Sequence, residues 1–187
     1  LKYAIELTAG LAVASVGPSV ASIYGAKLRL DNSCCLAISQ SGKSPDIVAM
    51  AEQARDGGAL TIALINTPQS PLAHASHFSI DIMAGQEKSV AATKTFVNSA
   101  VAGLALMAHA TEDRDLLQAL DALPEHLSEA IDRDWSQLAA ALDGATSLFT
   151  LGRGPSSAIA NEAALKFKET CFMHAESYSA AEVMHGP

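Results

Sequence analysis

Between residues 11 and 82, short apolar runs of strand length alternate with amphipathic stretches of helical length. That alternation marks a chain that winds βαβ units onto a parallel sheet. Three runs have strand character: Leu11 to Val16, Cys34 to Ser39 and Leu60 to Asn66. Phe78 to Met83 is a fourth, more exposed one. Between the second and third, Ile47, Val48, Met50, Ala51 and Ala54 recur at helical spacing. Ser44 stands at the N-cap, Pro45 at the first helical position and Gly57-Gly58 at the stop, so the spacing predicts a helix from Pro45 to Gly57. Aromatics make up 5% of a chain that is 49% hydrophobic, a balance that suits close-packed helices on a sheet of small aliphatic strands. The expected class is α/β.

A long helix is expected from about Ser89 to Ala110, apolar on more than one face and therefore largely buried. It closes a first domain, residues 1–110. Residues 111–143 read as a helical connector: Leu116, Leu117, Leu120, Leu123, Leu127, Ile131, Trp135 and Leu138 fit a pair of amphipathic helices broken at Pro124. The earlier order then returns, with a strand from Ser147 to Leu151, a Gly/Ser loop at 152–157 and a helix through Ala158 to Glu169. Residues 144–187 thus read as the start of a second copy of one nucleotide-type fold. The sequence opens without Met, apparently at a helix (Leu1 to Leu7), and stops at His185-Gly186-Pro187 with no closing element, so we expect a longer parent chain.

Twelve basic against 20 acidic residues give a formal net charge of -8. No global field draws a polyanion, and nucleic acid is not expected as a partner. A single phosphate can still be held by backbone N–H groups at a helix N-terminus. Three cysteines, with Cys34 and Cys35 adjacent in an apolar run, make neither a disulfide framework nor a metal spacing. They read as buried strand residues in a reducing compartment. With no run of about 18 apolar residues and no leader with a cleavage site, a soluble cytoplasmic protein without membrane contact is expected.

The loop Ser39-Gln40-Ser41-Gly42-Lys43-Ser44 leaves the C-terminal end of a strand, where open parallel sheets bind ligands. Ser39, Gln40, Ser41 and Ser44, a glycine that admits a ligand to the backbone and a Pro-started helix behind make an anion cradle. The same pattern fits a polar turn in which Ser44 only caps its helix, and spacing does not separate the two. Glu162, Lys166 and Glu169 share one helix face. Periodicity favours a solvated ion-pair row; a carboxylate beside an ammonium becomes a base for a carbon acid only if that face lines a cleft. His174, Glu176, Glu182 and His185 crowd the C-terminal stretch, where Gly186-Pro187 forces a turn. The two histidines are too far apart for a tight metal pair, and His185 is better suited to acid/base work. His74 and His77 read as surface histidines.

The runs SQSGKSPD (39–46), EKSVAATKTF (87–96), LGRGPSSAIANEAALKFKE (151–169) and HAESYSAAEVMHGP (174–187) resemble the sugar isomerase (SIS) family. Within it they resemble the isomerase half of glucosamine-fructose-6-phosphate aminotransferase, and still more its relatives that lack a glutaminase domain. The resemblance implies two SIS domains, each a three-layer αβα unit with a flavodoxin-like parallel sheet, the second incomplete here. It implies a sugar-phosphate substrate held mainly in the first domain: Ser39, Gln40, Ser41 and Ser44 match the phosphate loop, and Val90 and Ala92 match pocket positions. Glu169 matches the base that shuttles a proton between C1 and C2, with Lys166 beside it. His185 matches the ring-opening histidine supplied by a neighbouring subunit, so a homodimer with shared sites is implied, with no cofactor and no metal. The family's first Gly/Ser loop and the Schiff-base lysine of the aminotransferase fall outside these residues. Ala92 stands where the aminotransferase has Ser, and Met184 where it has Lys. With no glutaminase domain visible, glucosamine-6-phosphate deamination is the first expectation and aldose–ketose isomerisation the next. A non-catalytic SIS sensor is the alternative, set against by the joint presence of Glu169, Lys166 and His185.

Overall fold

The computed structural model describes residues 1–186. Helices α1 (Lys2–Thr8) and α2 (Ser19–Ser22) precede β1 (Cys34–Ser39), α3 (Pro45–Asp56), β2 (Leu60–Ile65), α4 (Pro71–Ala75) and β3 (Phe78–Asp81). The three strands form one parallel sheet in the order β1-β2-β3, with Cys34 level with Leu60 and Ile62 level with Phe78. Two crossovers, α3 and α4, build it.

Alternation along β2 decides the packing. Ala63 and Ile65 point to one face, where they bury with Ala51, Leu72 and Ala75 of α3 and α4. Leu64 points to the other and packs with Ile82 and Ala84, against Leu1 and Ala102. Ala102 belongs to α5 (Lys94–Ala110), so helices cover both faces of β2 and make three layers. Helix α6 (Arg114–Ile131) lies on α5, and α7 (Ser136–Leu142) follows. A separate two-stranded parallel sheet pairs β4 (Ser147–Gly152) with β5 (His174–Ser179) through the crossover helix α8 (Ser156–Cys171), and α9 (Ala180–His185) ends the described chain. Ala160, Ala164 and Ala175 bury where α8 meets this sheet, while Phe149 and Leu151 stay open on its other face.

Several expectations change. Leu11 to Val16 is not a strand: it follows Gly10 at φ 65 and pairs with no ladder, and its Val13 backbone is bonded instead to the Glu6 and Lys2 side chains of α1. A six-residue apolar run carries no signal that distinguishes a strand from an extended connector. The fourth strand stops at Asp81, since Met83 adopts φ 52, in the left-handed region. The long helix begins at Lys94 rather than near Ser89, and only Thr95, Gly103 and Ala108 of it are buried. Pro124 does not break the connector: it sits inside α6, which continues to Ile131, and the break falls before Ser136. One lost backbone bond is outweighed there by a strongly amphipathic helix packed on α5. Cys34 is exposed and Cys35 only half-buried, because β1 lies at the sheet edge. Strand β5 had no counterpart in the sequence reading. Pro187, and with it the turn assigned to Gly186-Pro187, lies outside the described residues.

Leu64 is fully buried, so Leu64→Ala should lower unfolding free energy by about 2–5 kcal/mol, read from the urea midpoint at unchanged m-value. The N-terminus of α5 is held by Glu87, whose Oε1 accepts from the Thr95 N–H at 2.7 Å and from Thr95 Oγ1 at 3.0 Å. The Thr95 N–H holds the Glu87 carboxyl below its ordinary 4.5. Stability from this cap is present above 4.5 and lost as pH falls through the lower folded value. Amide exchange at Thr95 should accelerate over that acid range in the wild type and be fast already at neutral pH in Glu87→Ala.

Candidate functional site

The loop from Ser39 to Ser44 runs from the C-terminal end of β1 into α3. Ser39 Oγ accepts from the Gly42 N–H at 3.1 Å, and Ser41 Oγ accepts from the Lys43 N–H at 3.3 Å. Both hydroxyls keep their own hydrogens to donate, as an anion requires. Ser44 occupies the N-cap position of α3 with extended backbone, yet its side chain makes no capping hydrogen bond. The reading in which Ser44 only caps its helix therefore loses its central interaction, and the Ser44 hydroxyl makes no hydrogen bond among the described residues. Gln40 is exposed, and its carbonyl accepts from the Asn66 N–H at 3.3 Å.

Three residues that sequence reasoning did not single out shape this loop. Ser70 is fully buried, and a Cβ on Gly42 (φ 60) would collide with its hydroxyl. The Gly42 carbonyl also accepts from the Leu72 N–H at 3.0 Å, so the loop lies flat on the start of α4. Asn66, at the end of β2, reaches into the segment after β3: its Oδ1 accepts from the Ala84 N–H at 2.9 Å and its amide donates to the Gly85 carbonyl at 2.6 Å. With Glu87 on Thr95, both ends of the segment carrying Val90 and Ala92 are fixed. Between them Val90 is 96% exposed and Ala92 half-buried. A Ser-Pro pair at 70–71 was a legible N-cap signal; the reach of Asn66 and Glu87 across 18 and 8 residues had none.

Glu162, Lys166 and Glu169 come together on α8 as their spacing predicts. The Lys166 ammonium lies 3.0 Å from Glu162 Oε1 and 2.9 Å from Glu169 Oε2. The side chains of Glu162 and Lys166 are 19% and 23% exposed, and Glu169 is the most open of the three at 32%. The hydrogen bond to Glu169 comes first among the causes that raise the Lys166 pKa above its ordinary 10.5. Lysine here is a fixed positive charge at neutral pH, and it holds the Glu169 carboxylate in place.

The C-terminal cluster divides. His174 and Glu176 sit near the start of β5, 3.7 Å apart, whereas Glu182 and His185 lie on α9 beyond its other end. Glu182 is committed to a capping box, accepting from the Ser179 N–H at 2.7 Å. His185 is exposed at the last position of α9. Among the described residues no hydrogen bond or ion pair joins the Ser39–Ser44 loop to α8 or α9. His74 is exposed as expected, while the exposed His77 ring binds Thr61 through Nδ1 at 2.8 Å. No group of three His, Cys, Asp or Glu side chains among the described residues is placed to hold a metal, and no described helix is long and apolar enough to cross a membrane.

Comparison with known proteins bears on this geometry. The glutamine–fructose-6-phosphate aminotransferase (isomerizing) of Sulfolobus acidocaldarius is 36% identical over 91% of this chain, which spans 29% of that enzyme. Among solved structures, a candidate phosphosugar isomerase from Silicibacter pomeroyi is 63% identical with a TM-score of 0.96, covering all of this chain and 57% of its own. The C-terminal domain of glucosamine-fructose-6-phosphate aminotransferase from Francisella tularensis is 28% identical with a TM-score of 0.82, covering all of this chain and 56% of its own. The chain is thus under a third of that curated relative's length and over half that of the solved ones. The SIS domain model matches residues 1–109 and 141–187, leaving out all of α6, the break after it and the start of α7. The chain belongs to the SIS domain family.

Proposed function

We propose that this protein is a phosphosugar isomerase or deaminase in which the Ser39–Ser44 loop holds the phosphate and Glu169 moves a proton between C1 and C2. We further propose that the segments on either side of α6 are two SIS units, and that two copies of the chain pair so that His185 of one completes the site of the other. The observation that supports the reading is the Glu162–Lys166–Glu169 row, where a carboxylate is fixed beside an ammonium at 2.9 Å.

In the leading version the substrate is glucosamine 6-phosphate. His185 assists opening of the ring by moving a proton between the C1 hydroxyl and the ring oxygen. The Glu169 carboxylate then takes the proton from C2, and the C2–H electrons form a C1–C2 double bond as O1 takes a proton from water, with the Lys166 charge offsetting the negative charge that develops there. Glu169 returns its proton to C1, and the nitrogen gives a proton to the hydroxide left from that water, which leaves a ketose imine at C2. Water adds to that carbon and ammonia departs, giving fructose 6-phosphate. Isomerisation of an aldose phosphate uses the same two proton transfers with oxygen in place of nitrogen, so the two versions share their residues and differ in whether ammonia appears. Val90 and Ala92 line the sugar's path in this scheme, and no cofactor enters it.

Glu169→Gln keeps the shape and removes the base. Turnover of the substrate should fall about 10²–10⁴-fold with KM little changed, in an assay following ketose and ammonia together. A protein that only senses its ligand would bind and signal as before. Ser41→Ala combined with Ser44→Ala should instead raise KM by about tenfold or more while leaving the affinity for unphosphorylated sugar as it was.

A further inference from the structure

We propose a second ligand site, distinct from the Ser39–Ser44 loop, in the cleft at the C-terminal end of the β4–β5 sheet. Its ligand is a phosphorylated sugar or polyol of hexose size. The cleft has a volume of about 440 Å³, within the range of small-molecule sites, and it opens where strands of a parallel sheet present their βα loops. Arg153 and Ser157 line it from the loop and first turn of α8, Asn161 from the next turn, and Ser177 from β5. Tyr3 of α1 closes one side and Glu182 of α9 another.

The loop repeats the construction of the first one. It leaves the first strand of its sheet and enters the crossover helix. It holds a glycine at positive φ, Gly154 at 62 against Gly42 at 60. A serine hydroxyl braces it from within, since Ser156 Oγ accepts from the Arg153 N–H at 2.9 Å. At Gly152 a Cβ would run into the Ser156 backbone, so the close turn there requires glycine.

The chemistry of the walls selects the ligand. Ser156 and Ser157 spend their hydroxyls on loop carbonyls. The side chains of Arg153, Asn161, Ser177 and Tyr3 have no hydrogen-bond or ion-pair partner among the described residues. An unpaired guanidinium in a cleft is a fork for a phosphate or carboxylate. Glu182 also lines the cleft; its Oε2 is taken by the Ser179 N–H, which leaves its other oxygen to accept from hydroxyl or amine groups. Asn161 and Ser177 add donors and acceptors. A ligand with a phosphate for Arg153 and a hydroxylated or aminated body meets these demands.

Calorimetric titration of the full-length protein tests this, with fructose 6-phosphate and inorganic phosphate as ligands and fructose as control. The wild type should bind two equivalents of fructose 6-phosphate per chain. Ser41→Ala with Ser44→Ala should retain one, and Arg153→Gln should retain the other, with affinity at the cleft falling about tenfold or more. Ser177→Asp, which adds a negative charge to the wall, should cost the same equivalent as Arg153→Gln, and circular dichroism of both variants should match the wild type. Arg153→Gln and Ser177→Asp binding two equivalents at wild-type affinity would overturn the proposal. So would loss of all binding in the Ser41/Ser44 variant, or fructose binding at the cleft as well as fructose 6-phosphate. Loss of one equivalent in Arg153→Gln with none lost in the Ser41/Ser44 variant leaves the cleft site standing and refutes the phosphate role of the first loop.

Discussion

Everything else in the first half of the molecule depends on the burial of the C-terminal half of β2. Its Ala63, Leu64 and Ile65 are sealed on both faces and hydrogen-bonded to neighbours on both edges. A parallel strand in that position fixes direction as well as place, because each partner must run the same way and return by a crossover. The ends of β1 and β2 then finish together, with Ser39 level with Ile65. The loop after β1 therefore meets the loop after β2. The contacts of Gly42 with Ser70 and Leu72, and of Gln40 with Asn66, follow from that register. The shape of the candidate phosphate loop is thus set less by its own serines than by a neighbouring turn that it must lie against.

The legible part of this architecture was the part encoded by local pattern. Strands β1 and β2, helix α3 with its Ser44-Pro45 start, and the charged row on α8 each carry a period or a cap within a dozen residues, and each is where the pattern put it. The Ser39–Ser44 loop was visible as a motif, but whether Ser44 caps its helix turned on one rotamer, which spacing does not encode. Leu11 to Val16 failed for the opposite reason: it has the composition of a strand, and whether a strand forms depends on a partner edge rather than on composition. Pro124 misled because helix breaking is a local cost of a few kcal/mol that long-range packing can offset. Strand β5, with the polar sequence His174 to Ser179, exists because β4 and α8 supply its neighbours.

The electrostatics of α8 separate two roles that the motif alone leaves merged. A lysine whose pKa is raised by an adjacent carboxylate stays an ammonium throughout the neutral range. Its ion pairs stabilise the fold fully below the ordinary 10.5 and weaken only as pH rises beyond it through the folded value. Such a group supplies charge and orientation and cannot accept a proton from carbon. In the proposed reaction the base on this face is therefore a carboxylate. Of the two, Glu162 bonds Lys166 from one turn earlier, while Glu169 lies nearer the end of the helix, its side chain 32% exposed against 19% for Glu162.

Each half of the proposed site is internally ordered, and the bonds that order it stay within its own half. The serine loop is braced by α4 and Asn66, the carboxylate row by its own helix. Proton transfer demands reacting groups within about 3.5 Å, so a working site needs these halves to be brought together by something other than the bonds described. An exposed His185 at the tip of α9, with no polar partner among the described residues, has the freedom to enter a site built by another copy. If catalysis requires that arrangement, the rate per chain depends on protein concentration below the dimer dissociation constant, whereas phosphate binding at the serine loop, which needs no second chain, does not. Dilution should separate the two, with initial rates falling faster than linearly while the affinity for inorganic phosphate stays constant; rates strictly proportional to protein down to nanomolar concentrations would mean that a single chain holds every group the reaction uses.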